Sequence, residues 1–267
     1  MSVKRNFIID YTSTPFPATS RTSADPYLLN WRCEICLSRN LEAIKGKNIL
    51  DLGSHDGRFI YASLKLGAKH VTGVEGREYL VNSSIDNLTR TGYTEEQYTI
   101  VPGDVFDYLP KVKPKEFDTI LCLGFFDHTM RQIELVKEIQ RIQPNTVILD
   151  MRIERGFFVY IVNPLKFIPR IRFRRIPLIS EFADVIKGRA GKPCLVFVYE
   201  SHEKEGTSID PTDISAKPTD NFVKLIFKIH GFDIKRLEWD KKEILKVGEV
   251  KNYLRNTRAC YIARPIE

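Results

Sequence analysis

Acids and glycines at fixed spacing carry the first chemistry in this chain. Asp51-Leu52-Gly53 closes an apolar run, Ile49 to Leu52, of a kind that fits a buried strand, and a helical pattern starts at about Gly57. A Gly at such a strand-to-helix turn lets the backbone come close to a ligand, and a helix start offers free N–H groups. His70-Val-Thr-Gly-Val-Glu75 is a second apolar run that ends in an acid, and Glu75 lies 22 residues after Gly53. That is near the ~20-residue offset at which an acid meets ribose hydroxyls in a βαβ nucleotide site. The spacing predicts a βαβ unit that holds a nucleoside. Two other groups are weaker. Cys33 and Cys36 form a lone CxxC inside a predicted helix and read as packing. Asp127 and Asp150 both point toward one sheet edge, but a third oxygen ligand is not evident, so no metal is expected.

The elements that must hold these residues follow from punctuation and period. Residues 1 to 24 are polar, rich in Ser, Thr and Pro, and read as an arm lying over the domain. Asp25-Pro26 reads as N-cap and first turn of a helix reaching about Ile44, with Gly46 as its stop. Strands are expected at about 48–52, 70–75, 97–101, 117–123 and 146–151, with helices at about 57–66, 78–91 and 130–142 between them. Alternation at this spacing implies a parallel sheet with right-handed crossovers. The second half is less regular. Residues 153 to 180 mix aromatics, Pro and Arg without period, Leu195 to Tyr199 is a candidate strand, and Ser201 to Pro218 reads as a polar loop. A helix over 219–230 and strands at about 232–239 and 258–263 complete the chain.

Composition sets bounds. The chain has 267 residues and 43% apolar content, enough for one large α/β domain with an insertion. Met1-Ser-Val-Lys-Arg-Asn has no apolar stretch after its charges, and no run approaches the ~18 residues that span a bilayer. Five scattered Cys suit a reducing compartment, so a cytoplasmic protein is expected. A net charge of +7 permits an anionic partner without demanding one.

With its elements placed, the chain resembles a class I S-adenosylmethionine-dependent methyltransferase of the bacterial small-molecule type, over about 45–152 and again 219–264. The residues that carry the likeness are Asp51-Leu-Gly53-Ser-His-Asp-Gly57, Val74-Glu75-Gly76-Arg77, Gly103-Asp104-Val105 and Phe117-Asp-Thr-Ile-Leu-Cys-Leu-Gly124, followed by Phe125-Phe-Asp-His-Thr129. Each is weak alone; four in order, each at a strand end, are strong together. The resemblance implies a Rossmann-like, seven-stranded, mostly parallel sheet with helices on both faces and a reversed last strand. It divides the chain into an N-terminal arm and helix (1–45), a cofactor-binding α/β core (46–152), an insert or lid over the acceptor pocket (153–218) and a C-terminal part of the core sheet (219–267). It implies S-adenosyl-L-methionine as cofactor, with Asp51, Gly53, Ser54 and Gly57 around the methionine part. Glu75 and Gly76 would stand at the ribose, Asp104 and Val105 at the adenine, and Gly124 and Phe125 at the sulfonium. One departure stands out: His55 replaces the middle Gly of the family's D-x-G-x-G-x-G, so its side chain must point away from the ligand or contact it.

A dinucleotide dehydrogenase is disfavoured, because Gly53-Ser54-His55 breaks the G-x-G-x-x-G fingerprint at its second Gly. A non-catalytic cofactor-binding or partner module on the same fold is the alternative of a different class. His128 is the candidate base, since it follows the fourth strand on the carboxyl edge where ligands bind in such folds. The expected acceptor is a small molecule, anionic or amphiphilic, taking the methyl on oxygen or nitrogen. RNA is the alternative acceptor, because Lys166, Arg170, Arg172, Arg174 and Arg175 are interleaved with Phe167 and Phe173. Phe157, Phe158, Tyr160, Ile161 and Ile168 in the same stretch are expected to cover the pocket.

Overall fold

The computed structural model describes residues 7–19, 25–154, 192–203, 209–244 and 250–266. The aromatic and basic stretch on which the lid expectation rests, Phe157 to Arg175, lies outside the described residues. In chain order the strands are β1 (Asn48–Leu52), β2 (His70–Glu75), β3 (Tyr98–Pro102), β4 (Thr119–Leu123), β5 (Thr146–Arg152), β6 (Leu195–Tyr199), β7 (Ile214–Pro218), β8 (Phe232–Arg236) and β9 (Arg258–Pro265). Seven of them form one sheet in the order β3-β2-β1-β4-β5-β9-β8, while β6 and β7 pair as a separate antiparallel hairpin. The first five run parallel, and β9 is antiparallel to both β5 and β8. This is the Rossmann-like arrangement with a reversed last strand.

The parallel strands form because their runs are apolar on both faces: β4, Thr-Ile-Leu-Cys-Leu, is buried at every position. One face is covered by α2 (Pro26–Cys36), α3 (Arg58–Lys65) and α4 (Glu78–Arg90), with Trp31, Ile35, Phe59, Ile60 and Leu88 in its core. The other is covered by α5 (Val105–Tyr108), α6 (Gln132–Ile142) and α7 (Asp220–Ile229), with Val105, Leu135, Ile139, Val223 and Phe227 in a second core. A short α8 (Lys251–Leu254) precedes β9. From β1 the chain moves outward to β2 and β3, then returns to β4 on the other side and continues to β5. The gap above β1 and β4 is therefore the topological switch point, where ligands sit in open α/β sheets.

Two expectations need correction. The helix from Asp25 does not reach Ile44. Its start is as expected, with the Asp25 carboxylate accepting from the Tyr27 amide at 2.9 Å. It ends at Cys36, because the Asn40 side chain donates to the Ile35 and Cys36 carbonyls at 3.0 and 3.1 Å, and Asn40 itself leaves helical geometry at φ −127°. A short 3-10 stretch, Ser38–Ala43, follows. The segment 7–19 lies on the domain through inserted side chains: Ile9, Tyr11 and Phe16 are fully buried, the last opening the one-turn α1 (Phe16–Thr19). The stretch 201–218 is not all loop, since Ile214–Pro218 is β7, whose Lys and terminal Pro hide it from a strand search. Among the described residues no helix is long and apolar enough to cross a membrane.

Candidate active site

A cavity of about 300 Å³ lies over the switch point, at the lower end of the range for small-molecule sites. The strand ends supply its floor: Gly53 after β1, Glu75 and Gly76 at the end of β2, Gly103 and Asp104 after β3, Gly124 and Phe125 after β4. Val105, His55 and His128 also line it. So the structure brings together eight of the eleven residues expected at the cofactor, and the candidate base with them. Asp51, Ser54 and Gly57 stand behind the cavity wall. Asp51 and Ser54 are each only 1% exposed, and the Gly57 amide donates to the Ser54 carbonyl at 3.1 Å.

Glu75 is held before any ligand arrives. One carboxylate oxygen accepts from the His55 amide at 2.8 Å and the other from the Arg77 amide at 3.0 Å. Each oxygen retains a lone pair for a further donor. His55 explains how a side chain replaces the middle Gly. Its backbone is left-handed, φ +54°, a conformation glycine adopts without strain. Its ring is turned against the Arg58 guanidinium at 2.9 Å and the Asp56 carboxylate at 3.3 Å. Burial would raise the Asp56 pKa; the Arg58 guanidinium 2.6 Å away overrides it and holds that carboxyl well below its ordinary range. Asp104 caps α5 by accepting from the Phe106 amide at 2.8 Å. Gly53 is forced to be small. At φ +68° it faces Phe125, and a Cβ there would meet the ring at 3.1 Å.

At the other end, His128 closes a 3-10 turn, Phe126–His128, between β4 and α6. Its Nδ1 lies 2.7 Å from the Glu200 carboxylate and its Nε2 3.9 Å from Asp127. Burial alone would lower its pKa; the Asp127 carboxylate and the Glu200 hydrogen bond outweigh it, so the imidazole is raised above its ordinary value. Residues that sequence reasoning missed complete the lining. Leu80 of α4 and Ile209, the latter against Gly76, line it, and Phe106 carries the Arg131 guanidinium 3.9 Å above its ring. Arg77, Gly103 and Thr129 had a signal in the sequence, inside the motifs quoted above; Ile209, between β6 and β7, and Glu200, which meets His128, lie far along the chain.

The two buried acids near the same edge differ. Asp150 takes no part in the cavity: both its oxygens are occupied by Arg32 and Arg258 at 2.7 to 3.0 Å and by the Tyr253 hydroxyl at 3.1 Å. That ion network accounts for an acid that looked like a metal ligand in sequence. Among the described residues no cluster of His, Cys, Asp and Glu could hold a metal ion.

Residues 50–148 match the model of a methyltransferase domain. Over those residues the chain carries a methyltransferase domain, and its sheet order is that of the class I fold, whose methyl donor is S-adenosylmethionine. It is 28% identical over 139 residues to the tRNA U34 carboxymethyltransferase of Campylobacter curvus, which takes in 49% of this chain and 44% of that one. It is 34% identical over 81 residues to the ribosomal protein L11 methyltransferase of Tolumonas auensis, 30% of this chain and 25% of that one. The chain thus spans less than half the length of either relative. Its fold is like that of the N-terminal domain of EvdMO1 with SAH bound, at TM-score 0.58 and 16% identity over 86% of this chain and 79% of that one. It is also like a putative S-adenosylmethionine-dependent methyltransferase from Listeria monocytogenes, at TM-score 0.54 and 13% identity over 86% and 97%.

Proposed function

We propose that the chain moves the methyl group of S-adenosylmethionine to an oxygen or nitrogen of a small or amphiphilic metabolite. The observation that carries this is one cavity in which Glu75, Asp104 and His128 meet. The residues present fit the donor. Glu75 keeps two lone pairs for the two ribose hydroxyls, a charge-assisted pairing. Asp104 stands ready for the adenine amino group with Val105 beside the ring, and Gly124 and Phe125 border the sulfonium end. Gly53 keeps backbone open to the methionine part, while Asp51, Ser54 and Gly57 hold that turn in shape. The donor supplies a methyl group on a good leaving group. The chain has to align the acceptor in line with it, which is worth ~7–11 kcal/mol of barrier, exclude water, and take the acceptor's proton. His128 is the base in this reading. The modest volume of the cavity, about 300 Å³, favours a small acceptor.

A second reading has its own support. The chain carries a net charge of +7, and one of its relatives is named for an action on tRNA. An RNA acceptor would bind with strong salt dependence, a slope of about −0.7 for each phosphate contacted on a single strand.

Purified protein, methyl-labelled S-adenosylmethionine and a cell extract divided into metabolite and RNA fractions decide between these. Label in the metabolite fraction supports the first reading, and label in RNA replaces it with the second. Cofactor binding without label in any fraction leaves a non-catalytic module. On the acceptor so found, His128→Ala should lower turnover by ~10²–10⁴ while S-adenosylhomocysteine affinity stays near wild type. Full turnover in that variant would remove His128 as base.

A further inference from the structure

The β6–β7 hairpin stands outside the main sheet, yet it reaches both ends of the cavity. It is anchored, not loose. Ser215 and Ala216 of β7 are fully buried, the Ala216 amide donates to the Thr129 carbonyl at 3.2 Å, and the buried Gln132 amide donates back to the Ala216 carbonyl at 2.8 Å. At the adenosine end Arg77 donates to the His202 carbonyl at 2.6 Å, and a Cβ on Gly76 would meet Ile209 at 2.5 Å. At the other end the residue following β6 is Glu200, whose amide donates to the Asp213 carbonyl at 2.8 Å and whose carboxylate reaches His128.

We infer that Glu200 is the positioning residue of His128: it fixes the imidazole proton on Nδ1 and leaves Nε2 as the basic nitrogen at the acceptor end. This rests on the proposed role of His128 and adds a residue to it. The distances separate the two carboxylates beside the ring. Glu200 at 2.7 Å is a hydrogen-bond acceptor, whereas Asp127 at 3.9 Å is beyond hydrogen-bond range and acts on Nε2 through charge alone. A second ring partner of this kind sets tautomer and orientation, as it does for other histidine bases. In the transfer step a lone pair on the acceptor atom X forms the bond to the methyl carbon, and the X–H pair stays on X as its proton leaves. The C–S pair stays on sulfur as a neutral thioether, and the proton goes to Nε2. The imidazolium so formed is stabilised by Glu200 and Asp127 and opposed by Arg152, the third charged group that faces it. The same arrangement lowers the Glu200 pKa: burial pushes the carboxyl up, and the hydrogen bond and charge of His128 outweigh it.

The test is the protonation of His128 itself, which needs no acceptor. The 267-residue chain labelled with ¹⁵N-histidine, with S-adenosylhomocysteine added, gives five imidazole signals to assign, and His128→Gln identifies the one. Long-range ¹H–¹⁵N spectra of the wild type should place the neutral ring in the Nδ1–H form, titrating above the ordinary value of about 6.5. Glu200→Gln should bring that titration down by at least about half a unit, and Glu200→Ala should also release the tautomer. The other four histidines report whether each variant is folded. A wild-type ring in the Nε2–H form overturns the inference without any variant. So does a His128 titration that ignores Glu200→Gln. The two readings fail separately. His128→Ala with full turnover removes the base but leaves the Glu200 pairing. A lost turnover in His128→Ala, with no response of the ring to Glu200, removes the pairing alone.

Discussion

Asp51 and Asp150 lie near the carboxyl ends of β1 and β5, the two strands that flank β4, and water reaches neither: they are 1% and 0% exposed. Their chemistry is opposite. Asp51 makes no ion pair among the described residues, and Arg32 and Arg58 act on it only from a distance. Burial, helped by the Glu75 charge, pushes its carboxyl up to about 7, and one of its oxygens has no partner. Burial acts on Asp150 in the same sense, but the Arg258 and Arg32 guanidiniums overcome it and hold that carboxyl far below its ordinary range. Burial therefore fixes only that a charge is costly; the partner decides whether the charge exists. The cavity lies on the Asp51 side, and the acids Glu75 and Asp104 line it together with Arg77 and Arg131. That suits a donor that presents hydroxyls, an amino group and a sulfonium.

The largest test of this contrast removes Asp150. In Asp150→Ala two buried guanidiniums lose their carboxylate, and stability should fall by about 3–5 kcal/mol, the scale for breaking a buried ion pair from one side. Urea unfolding measures it, and a variant as stable as wild type would show that the arginines find other partners. Next comes Glu75→Ala, which acts on the other side. S-adenosylhomocysteine binding should weaken by ~2–4 kcal/mol by calorimetry, the scale of charge-assisted hydrogen bonds lost from a site. An unchanged affinity would take the ribose contact away from Glu75.

The pH dependence of folding isolates Asp51. Its carboxyl is raised on folding, so the folded state binds a proton that the unfolded state has released above pH 4. The contribution is complete below the unfolded value of 3.8 and is lost as pH rises toward about 7. Asp51→Asn should flatten the wild type's fall between pH 5 and 8 by about 2 kcal/mol. Parallel curves for the two proteins would mean that Asp51 is ionised in the fold. The smallest effect is at Tyr253, whose hydroxyl donates to Asp150 at 3.1 Å. Tyr253→Phe should cost about 1 kcal/mol, leaving the arginines as the main holders of that charge. A loss as large as that of Asp150→Ala would place the phenol among them.

The contrast between the two aspartates was not legible in the sequence, and the reason is distance along the chain. Asp150 looked like an edge acid because Arg32 and Arg258, 118 and 108 residues away, carry no mark of where they fold. The parallel core was legible because buried parallel strands must be apolar on both faces and end where glycine or an acid turns the chain. Glu75 and Asp104 inherit their place from that rule. Glu200 does not, since the hairpin that carries it pairs with itself and docks by Ala216, a residue of no distinctive chemistry. Asn40 shows the local limit: the apolar spacing of Leu37, Leu41 and Ile44 fits a helix, but one amide side chain outcompetes the next turn for its carbonyls.

The N-terminal segment has a further consequence. The Tyr11 hydroxyl donates to the Arg58 carbonyl at 2.5 Å, its ring lies edge-on to Phe16 and Tyr61, and Thr19 reaches the Asp56 carboxylate at 3.3 Å. The turn that carries His55 is thus braced from behind by a short peptide that shares with it no strand pairing, only sockets. A chain begun at Asp25 would present those sockets empty. A synthetic peptide of residues 7–19 should dock into them as a ligand, so that the protein reconstitutes from two pieces and the donor site becomes tunable by the concentration of a separate fragment.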